Sequence, residues 1–452
     1  MTKVLGNHAP THAQSDRESP APSAAEFGRT GDPGPGSAGP SSRECKKERS
    51  ARVLLVSRSS CSFAGSKGGA DVVARSTAEM LAEAGLPTWY VGNDPPHSKT
   101  VEWIPSPARV LSPRPREKPR SAALRYLFNE LINVGRASVR GLRAAPAIRP
   151  DVVISNHPVT TMLFRLAHPR ARILYRMHDG IHAQNGVSRF IDRTVRFLTS
   201  EVLERLSVGL ASYVITPGER VRQELLALNV PVGKISALYP IVDWMTVSDP
   251  TYSAPSPTPR VPSTPSRFVL SIGQQTGRKR FDLLIEALRH LAGDLDLVLV
   301  GDGPLHERYR KRVEELGLQG RVTFVTDASD QRVRDLYRDC TIYALLSENE
   351  GFPVTVAEAL ASGVPTLYAC PTATDAMPRV PAGLIVEGTL PRPVDLARLL
   401  DGLVTDIEEG GFPTRERIGA WAKQAMTTRE GAVQTYLAAF VKMGSENLTA
   451  IA

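Results

Sequence analysis

"TIYALLSENEGFPVTVAEALASGVPTLYA", Thr341 to Ala369, decides the fold. The apolar run Thr341 to Leu346 reads as a buried strand, the segment after Pro353 as a short helix, and "TLYA" as a second strand. Pro353 suits the first helical position, where its missing N–H costs little, and Gly363 with Pro365 ends the helix. Strand, helix and strand in that order predict a parallel α/β unit. A helix N-terminus at the carboxyl end of a strand offers free N–H groups and a positive dipole end, which suits an anion such as a phosphate. Glu350 precedes the Gly-Phe-Pro turn and Glu358 follows eight residues on, so two carboxylates would face the polar remainder of such a ligand.

The same alternation runs through most of the chain. "ARVLLVS", "TWYV", "PDVVISN", "RILYRMHDG" and "ASYVITPG" read as strands in a first set, with a Gly-rich loop and helix after "ARVLLVS". "FVLSIG", "LDLVLVGDG", "RVTFV", "TIYALLS" and "TLYA" form a second set. Between them lies "DPTYSAPSPTPRVPSTPSR", whose repeated prolines mark a linker. The expected organisation is a disordered Pro/Gly/Ser-rich tail over 1–50, a first Rossmann-like domain over 51–248, the linker over 249–266, a second such domain over 267–410 and a helical segment over 411–452. Two doubly wound parallel sheets would face each other across a cleft lined by the carboxyl ends of their strands.

Composition narrows the function. The chain has 452 residues, 42% hydrophobic and 23% charged, enough for two separate cores. Its four cysteines are far apart with no CxxC spacing, so neither a disulfide framework nor a zinc site is indicated and a reducing cytoplasm fits. No apolar run approaches the roughly 20 residues needed to span a bilayer, and the polar N-terminus lacks a signal peptide's apolar stretch. Ten Lys and Arg stand against two Glu between Ser106 and Pro150, a local excess of 10 − 2 = +8 that equals the whole formal net charge. In that segment Leu124, Leu127, Phe128 and Leu131 share one helical face, with Arg125, Arg136, Arg140 and Arg143 elsewhere. Two readings follow: a helix packed on the first sheet with a wet basic face, or peripheral contact with an anionic membrane or a lipid-linked acceptor. No aromatic interleaving or motif supports nucleic acid.

Four segments, in order, carry a resemblance: "SIGQQTGRKRFDLLIEAL" (Ser271 to Leu288), "LVLVGDGP" (Leu297 to Pro304), "GRVTFVTDASDQRVRDLYRDC" (Gly320 to Cys340) and "SENEGFPVTVAEALASGVP" (Ser347 to Pro365). Together they resemble the retaining glycosyltransferases of family 4, with the two-domain GT-B architecture and a Glu-x7-Glu signature. The resemblance implies that Glu350 lies near the donor sugar and that Gly351 and Phe352 present backbone N–H groups to sugar and diphosphate. Val354 and Thr355 would join the donor site at the start of the helix, and Glu358 would accept the ribose hydroxyls. Lys279, as an exposed cleft lysine, would bind the diphosphate. The family usually has an arginine shortly after the glycine of this loop, where this chain has Gln274, so Arg278 or Arg280 would supply that charge. In the first domain, "SKGGAD" would bring the backbone of Gly68 and Gly69 to the phosphates and acceptor, and His178 would stand near the reaction centre, with His157 a weaker second candidate.

Chemistry alone asks for the same parts. A nucleotide sugar needs an acceptor for its ribose diol, N–H groups and a cation for its phosphates, and polar groups for its sugar. "GDG" at Gly301 to Gly303 is better read as a tight bend than as a nucleotide-binding turn. Asp294 and Asp296 precede their strand at the wrong edge of the sheet for a metal site. The implied activity is transfer of a hexose from a nucleotide-diphosphate sugar to an acceptor hydroxyl, with retention, and with neither metal nor cofactor. The acceptor stays open among lipid-linked, polysaccharide and small natural products. Two other classes are a sugar-nucleotide epimerase of the same fold and a catalytically silent partner protein, to which Gln274 is the one pointer.

Overall fold

Short apolar runs flanked by polar turns make strands whose two faces are both buried. In β1 (Val53–Val56), Val53 and Leu55 face one core while Leu54 and Val56 face another, so helices must cover both sides of the sheet. The computed structural model describes residues 50–57, 69–107, 119–178, 202–241, 265–348, 350, 352–370 and 390–444. The tail expected over 1–50, save its last residue, and the linker up to residue 264 lie outside the described residues.

The first half runs β1, α1 (Gly69–Glu83), β2 (Thr88–Gly92), β3 (Val101–Pro105), α2 (Pro119–Ile148), β4 (Val152–Ser155), α3 (Pro158–Ala167) and β5 (Ile173–Arg176), then α4 (Leu203–Leu210), β6 (Tyr213–Thr216), α5 (Glu219–Ala227) and β7 (Ile235–Ala237). These strands form a seven-stranded sheet in the order β3-β2-β1-β4-β5-β6-β7. The second half contributes β8 (Phe268–Ile272), α6 (Phe281–Ala287), β9 (Asp296–Val300), α7 (His306–Glu315), β10 (Val322–Val325), α8 (Asp330–Asp339), β11 (Ile342–Leu346), α9 (Val354–Ala361) and β12 (Thr366–Ala369), in a five-stranded sheet ordered β10-β9-β8-β11-β12. Every pairing in both sheets is parallel. In the second sheet the order reverses between β8 and β11, whose Val269 and Ile342 are in register. Ligands of open α/β sheets sit outside the carboxyl ends of strands at such a switch point.

Three features depart from expectation. The edge strands β3 and β7 were not anticipated, because β3 buries only Val101 fully and β7 is three residues long. Helix α2 packs through Ala137, Ala145 and Ile148 against Leu54, Val56 and Phe164, while Phe128 and Leu131 of the expected apolar face are 67% and 41% exposed and do not pack on the sheet. The C-terminal helices also divide. After α10 (Pro393–Glu408), α11 (Arg415–Ala425) buries Ile418 and Ala422 against Val356 and Leu360 of α9. Helix α12 (Arg429–Lys442) returns to the first sheet, where Tyr436, Leu437 and Phe440 share a core with Val53, Leu55 and Ile215. Arg172 holds its end, donating to the carbonyls of Met443 at 2.9 Å and Gly444 at 2.8 Å.

Candidate functional site

The turn that leaves β8 is shaped by backbone contact with the turn that leaves β9. Gly301 has φ +112°, and a Cβ there would stand 2.3 Å from the carbonyl oxygen of Gly273, so only glycine fits. Gln275 fills the junction completely buried: its N–H donates to Asp302 (3.0 Å), its carbonyl accepts from Leu305 (3.0 Å), and its side-chain amide donates to Gly301 (2.6 Å). The Gly-Asp-Gly segment is thus a bend, as expected. The stem of Lys279 crosses Gly273, where a Cβ would lie 3.3 Å from the lysine Cε.

That route delivers Lys279 to the loop after β11. Its Nζ lies 2.8 Å from Glu350 Oε1, and Arg278 Nη1 lies 3.1 Å from Glu350 Oε2. Glu350 is 5% exposed and Lys279 9%, which corrects the expectation of an exposed cleft lysine: carrying the stem over a glycine buries it. Burial alone would raise the Glu350 carboxyl, but Arg278 and then Lys279 outweigh it and hold the group down at about 2. Arg280 is not brought to this cluster. Its backbone is left-handed (φ 44°), and its guanidinium is drawn to Asp282 at 3.0 Å, with Glu348 at 3.7 Å. Arg278 is therefore the arginine that stands beside Lys279 at Glu350.

Helix α9 begins directly after Pro353, one position later than expected, with Val354 and Thr355 in its first turn. Phe352 is buried, and Gly351 lies outside the described residues. The helix closes at Gly363, whose φ is +71° and whose Cβ would meet the Arg415 carbonyl oxygen at 2.3 Å. Glu358, in the second turn, accepts from Tyr337 Oη of α8 at 2.9 Å. Burial above all, reinforced by Glu358, pushes the Tyr337 phenol well up, so it remains a donor. Two carboxylates thus flank the start of α9, one held by cations and the other by a neutral phenol.

Across the molecule, Gly69 opens α1 while Gly68 lies outside the described residues, and His178 is half-buried just beyond the carboxyl end of β5. His157 caps α3, its Nδ1 accepting from the Val159 N–H at 3.1 Å, which gives that histidine a structural task. Asp296 is the first residue of β9 rather than preceding it, and both candidate metal carboxylates face arginines: Asp294 with Arg267 at 3.3 Å and Asp296 with Arg321 at 3.5 Å. Among the described residues no group of three or more His, Cys, Asp or Glu is placed to hold a metal. The sequence reading missed Tyr337, Gln275 and Arg220, whose Nη2 lies 3.1 Å from the Glu350 carbonyl oxygen. Only Gln275, inside a loop already singled out, had a signal that could have found it.

Family models match both halves: "Glycosyltransferase Family 4" over residues 67–244 and "Glycosyl transferases group 1" over residues 259–424. The lipopolysaccharide 1,6-galactosyltransferase of Salmonella typhimurium is 29% identical over 164 residues, 35% of this chain and 43% of the relative. The chain spans less than half the length of the curated relatives it matches. Among solved structures, the sucrose-phosphate synthase of Thermosynechococcus elongatus superposes with a TM-score of 0.61 at 19% identity, covering 88% of this chain and 98% of that one. Anabaena HepE in complex with UDP and glucose gives 0.60 at 16% identity, covering 88% and 100%. The architecture is GT-B, and glycosyltransferase family models lie on both of its sheets.

Proposed function

We propose that the chain is a glycosyltransferase that moves a hexose from a nucleotide-diphosphate sugar to an acceptor hydroxyl with retention of anomeric configuration, without a metal ion. The observation that carries the reading is the Arg278–Glu350–Lys279 cluster at the switch point of the second sheet, beside the start of α9. Two cations and one carboxylate leave an excess positive charge where a diphosphate would depart. Glu350 keeps both cations in place beforehand, so they need little reorganisation as leaving-group charge develops. Glu358, oriented by Tyr337, would accept the ribose hydroxyls.

In this reading the acceptor hydroxyl attacks the anomeric carbon from the face the diphosphate leaves, and its proton passes to the departing phosphate oxygen. Lys279 and Arg278 stabilise that diphosphate, and His178 stands on the acceptor side. Gly68, Gly69, Gly351, Phe352, Val354 and Thr355 are assigned backbone contacts to the donor, whereas Arg280, engaged by Asp282, is left out. Relatives named as a lipopolysaccharide galactosyltransferase and a D-inositol 3-phosphate glycosyltransferase are consistent with either a lipid-linked or a small acceptor. No helix among the described residues is long and apolar enough to cross a membrane. A peripheral contact of α2 with an anionic membrane is supported by exposed Phe128, Leu131 and Val139 on a helix that also carries Arg136 and Arg143.

The test is a panel of nucleotide sugars assayed for nucleotide release with and without acceptors. Release that requires an acceptor is the expected result. Release without one would favour an epimerase, and no turnover with any pair would favour a silent partner protein.

A further inference from the structure

Two contacts run from the first half of the molecule to the loop before α9, and they land on residues 350 and 352. Tyr239, just after β7, places its ring 5.6 Å from that of Phe352. Arg220, the second residue of α5, donates from Nη2 to the carbonyl oxygen of Glu350 at 3.1 Å. Its Nη1 pairs with Glu224 one turn further along the same helix, and the Arg220 side chain is only 18% exposed. Arg220 Nε and Glu224 Oε2 are buried without hydrogen-bond partners. Keeping a half-satisfied ion pair at an interface costs desolvation free energy that a neutral side chain donating to the same carbonyl would avoid. A buried group of this kind asks for an explanation.

Glu350 is thereby gripped at both ends. Lys279 and Arg278 of its own half hold the carboxylate, and Arg220 of the opposite half holds the carbonyl. With its carboxylate and its carbonyl oxygen both held, the orientation of Glu350 is fixed from two sides. The contact exists only while the two halves lie against each other.

We infer that Arg220 is a positioning residue for the donor sugar: acting through the Glu350 carbonyl, it sets the placement of Glu350 while the two halves lie against each other. This rests on the glycosyltransferase reading above, and it separates the sugar from the rest of the donor. The ribose meets Glu358 and the diphosphate the side chains of Lys279 and Arg278, all of the second half, whereas the sugar meets Glu350, whose placement depends on Arg220 of the first half as well.

The test uses the full chain and compares wild type, Arg220→Met and Arg220→Lys. Equilibrium affinities are measured for UDP-glucose, UDP-galactose and GDP-mannose, and for UDP and GDP, together with the thermal midpoint. For the sugar nucleotide that wild type binds best, Arg220→Met should lose about tenfold in affinity while the matching bare diphosphate loses less than about threefold. Arg220→Lys, with one donor group in place of a fork, should show an intermediate loss of about threefold, again for the sugar nucleotide alone. A purely structural arginine would lower the thermal midpoint without changing the ratio of the two affinities. Equal losses for both ligands, or none, would overturn the inference. If Arg220→Met does not fold, Arg220→Lys decides by the same ratio. Wild type that binds no sugar nucleotide of the panel would overturn the transferase reading and the inference with it, whereas wild-type binding that Arg220→Met leaves intact would overturn the inference alone.

Discussion

Glu350 and Glu358 stand on either side of the start of one helix in opposite surroundings. The first is 5% exposed between an ammonium and a guanidinium, and the second is half-buried and receives a proton donor that stays neutral. The Glu350 end is an arrangement of fixed charges in which each member is costly without the others. The Glu358 end is a hydrogen bond whose loss removes only its own small net contribution. The difference divides the helix into an electrostatic end and a hydrogen-bonding end, and changes at the two should differ in size and in what they disturb.

The largest effect is expected for Glu350→Gln, which leaves two cations side by side without their carboxylate. Breaking a buried pair this way costs about 3–5 kcal/mol, so both the thermal midpoint and donor turnover should collapse. A stable, active Glu350→Gln protein would erase the distinction between the two ends. Acid should report the same group. Its folded-state carboxyl titrates at about 2, below the ordinary value of 4.5, so its contribution is present above pH 4.5 and fades as pH falls towards 2. Urea midpoints measured from pH 5 to pH 3 should fall in wild type and fall less in Glu350→Gln. Lys279→Met comes next, at roughly 1.5–3 kcal/mol, because Arg278 still pairs with Glu350. It should lower stability as well as donor affinity, and an unchanged melting temperature would return Lys279 to the exposed role first expected of it.

Tyr337→Phe should cost about 1 kcal/mol and weaken binding of the bare nucleoside diphosphate a few-fold at most, as read by calorimetry. If its loss matched that of Lys279→Met, the two ends of the helix would be energetically alike. The smallest effect is expected at the far edge of the second sheet. Asn at both 294 and 296 removes two partly exposed pairs, Asp294 being 73% exposed, so stability should change by about 1 kcal/mol or less. Under the metal-free reading this double variant and EDTA should leave activity intact, and loss on chelation restored by Mg²⁺ would sink that reading.

The interior strands were legible because their all-apolar runs advertise burial on two faces. Strands β3 and β7 were not, since an edge strand with Glu102 and Trp103 exposed carries no such run. Glu350 and Glu358 were singled out by residue type and spacing and Lys279 by the resemblance, and the structure brings Lys279 to Glu350. Their partners were harder to find, because Arg278 and Arg280 differ only in where a turn aims them, and the left-handed backbone at Arg280 is not written in its side chain. Tyr337 and Arg220 reach the site from other elements, and that pairing is set by how helices pack rather than by any local pattern.

The return of α12 to the first sheet bears on how the chain is made. Val53 and Leu55 leave the ribosome long before Tyr436, Leu437 and Phe440, with which they share a core. Contacts of such long sequence separation form late, so the sheet built first must wait through synthesis of the second half for one of its covering helices. Synthesis of α12, rather than completion of residue 248, is the event that lets the first half close its core. A ribosome stalled anywhere in the second half would hold out an unfinished apolar face for chaperones to guard.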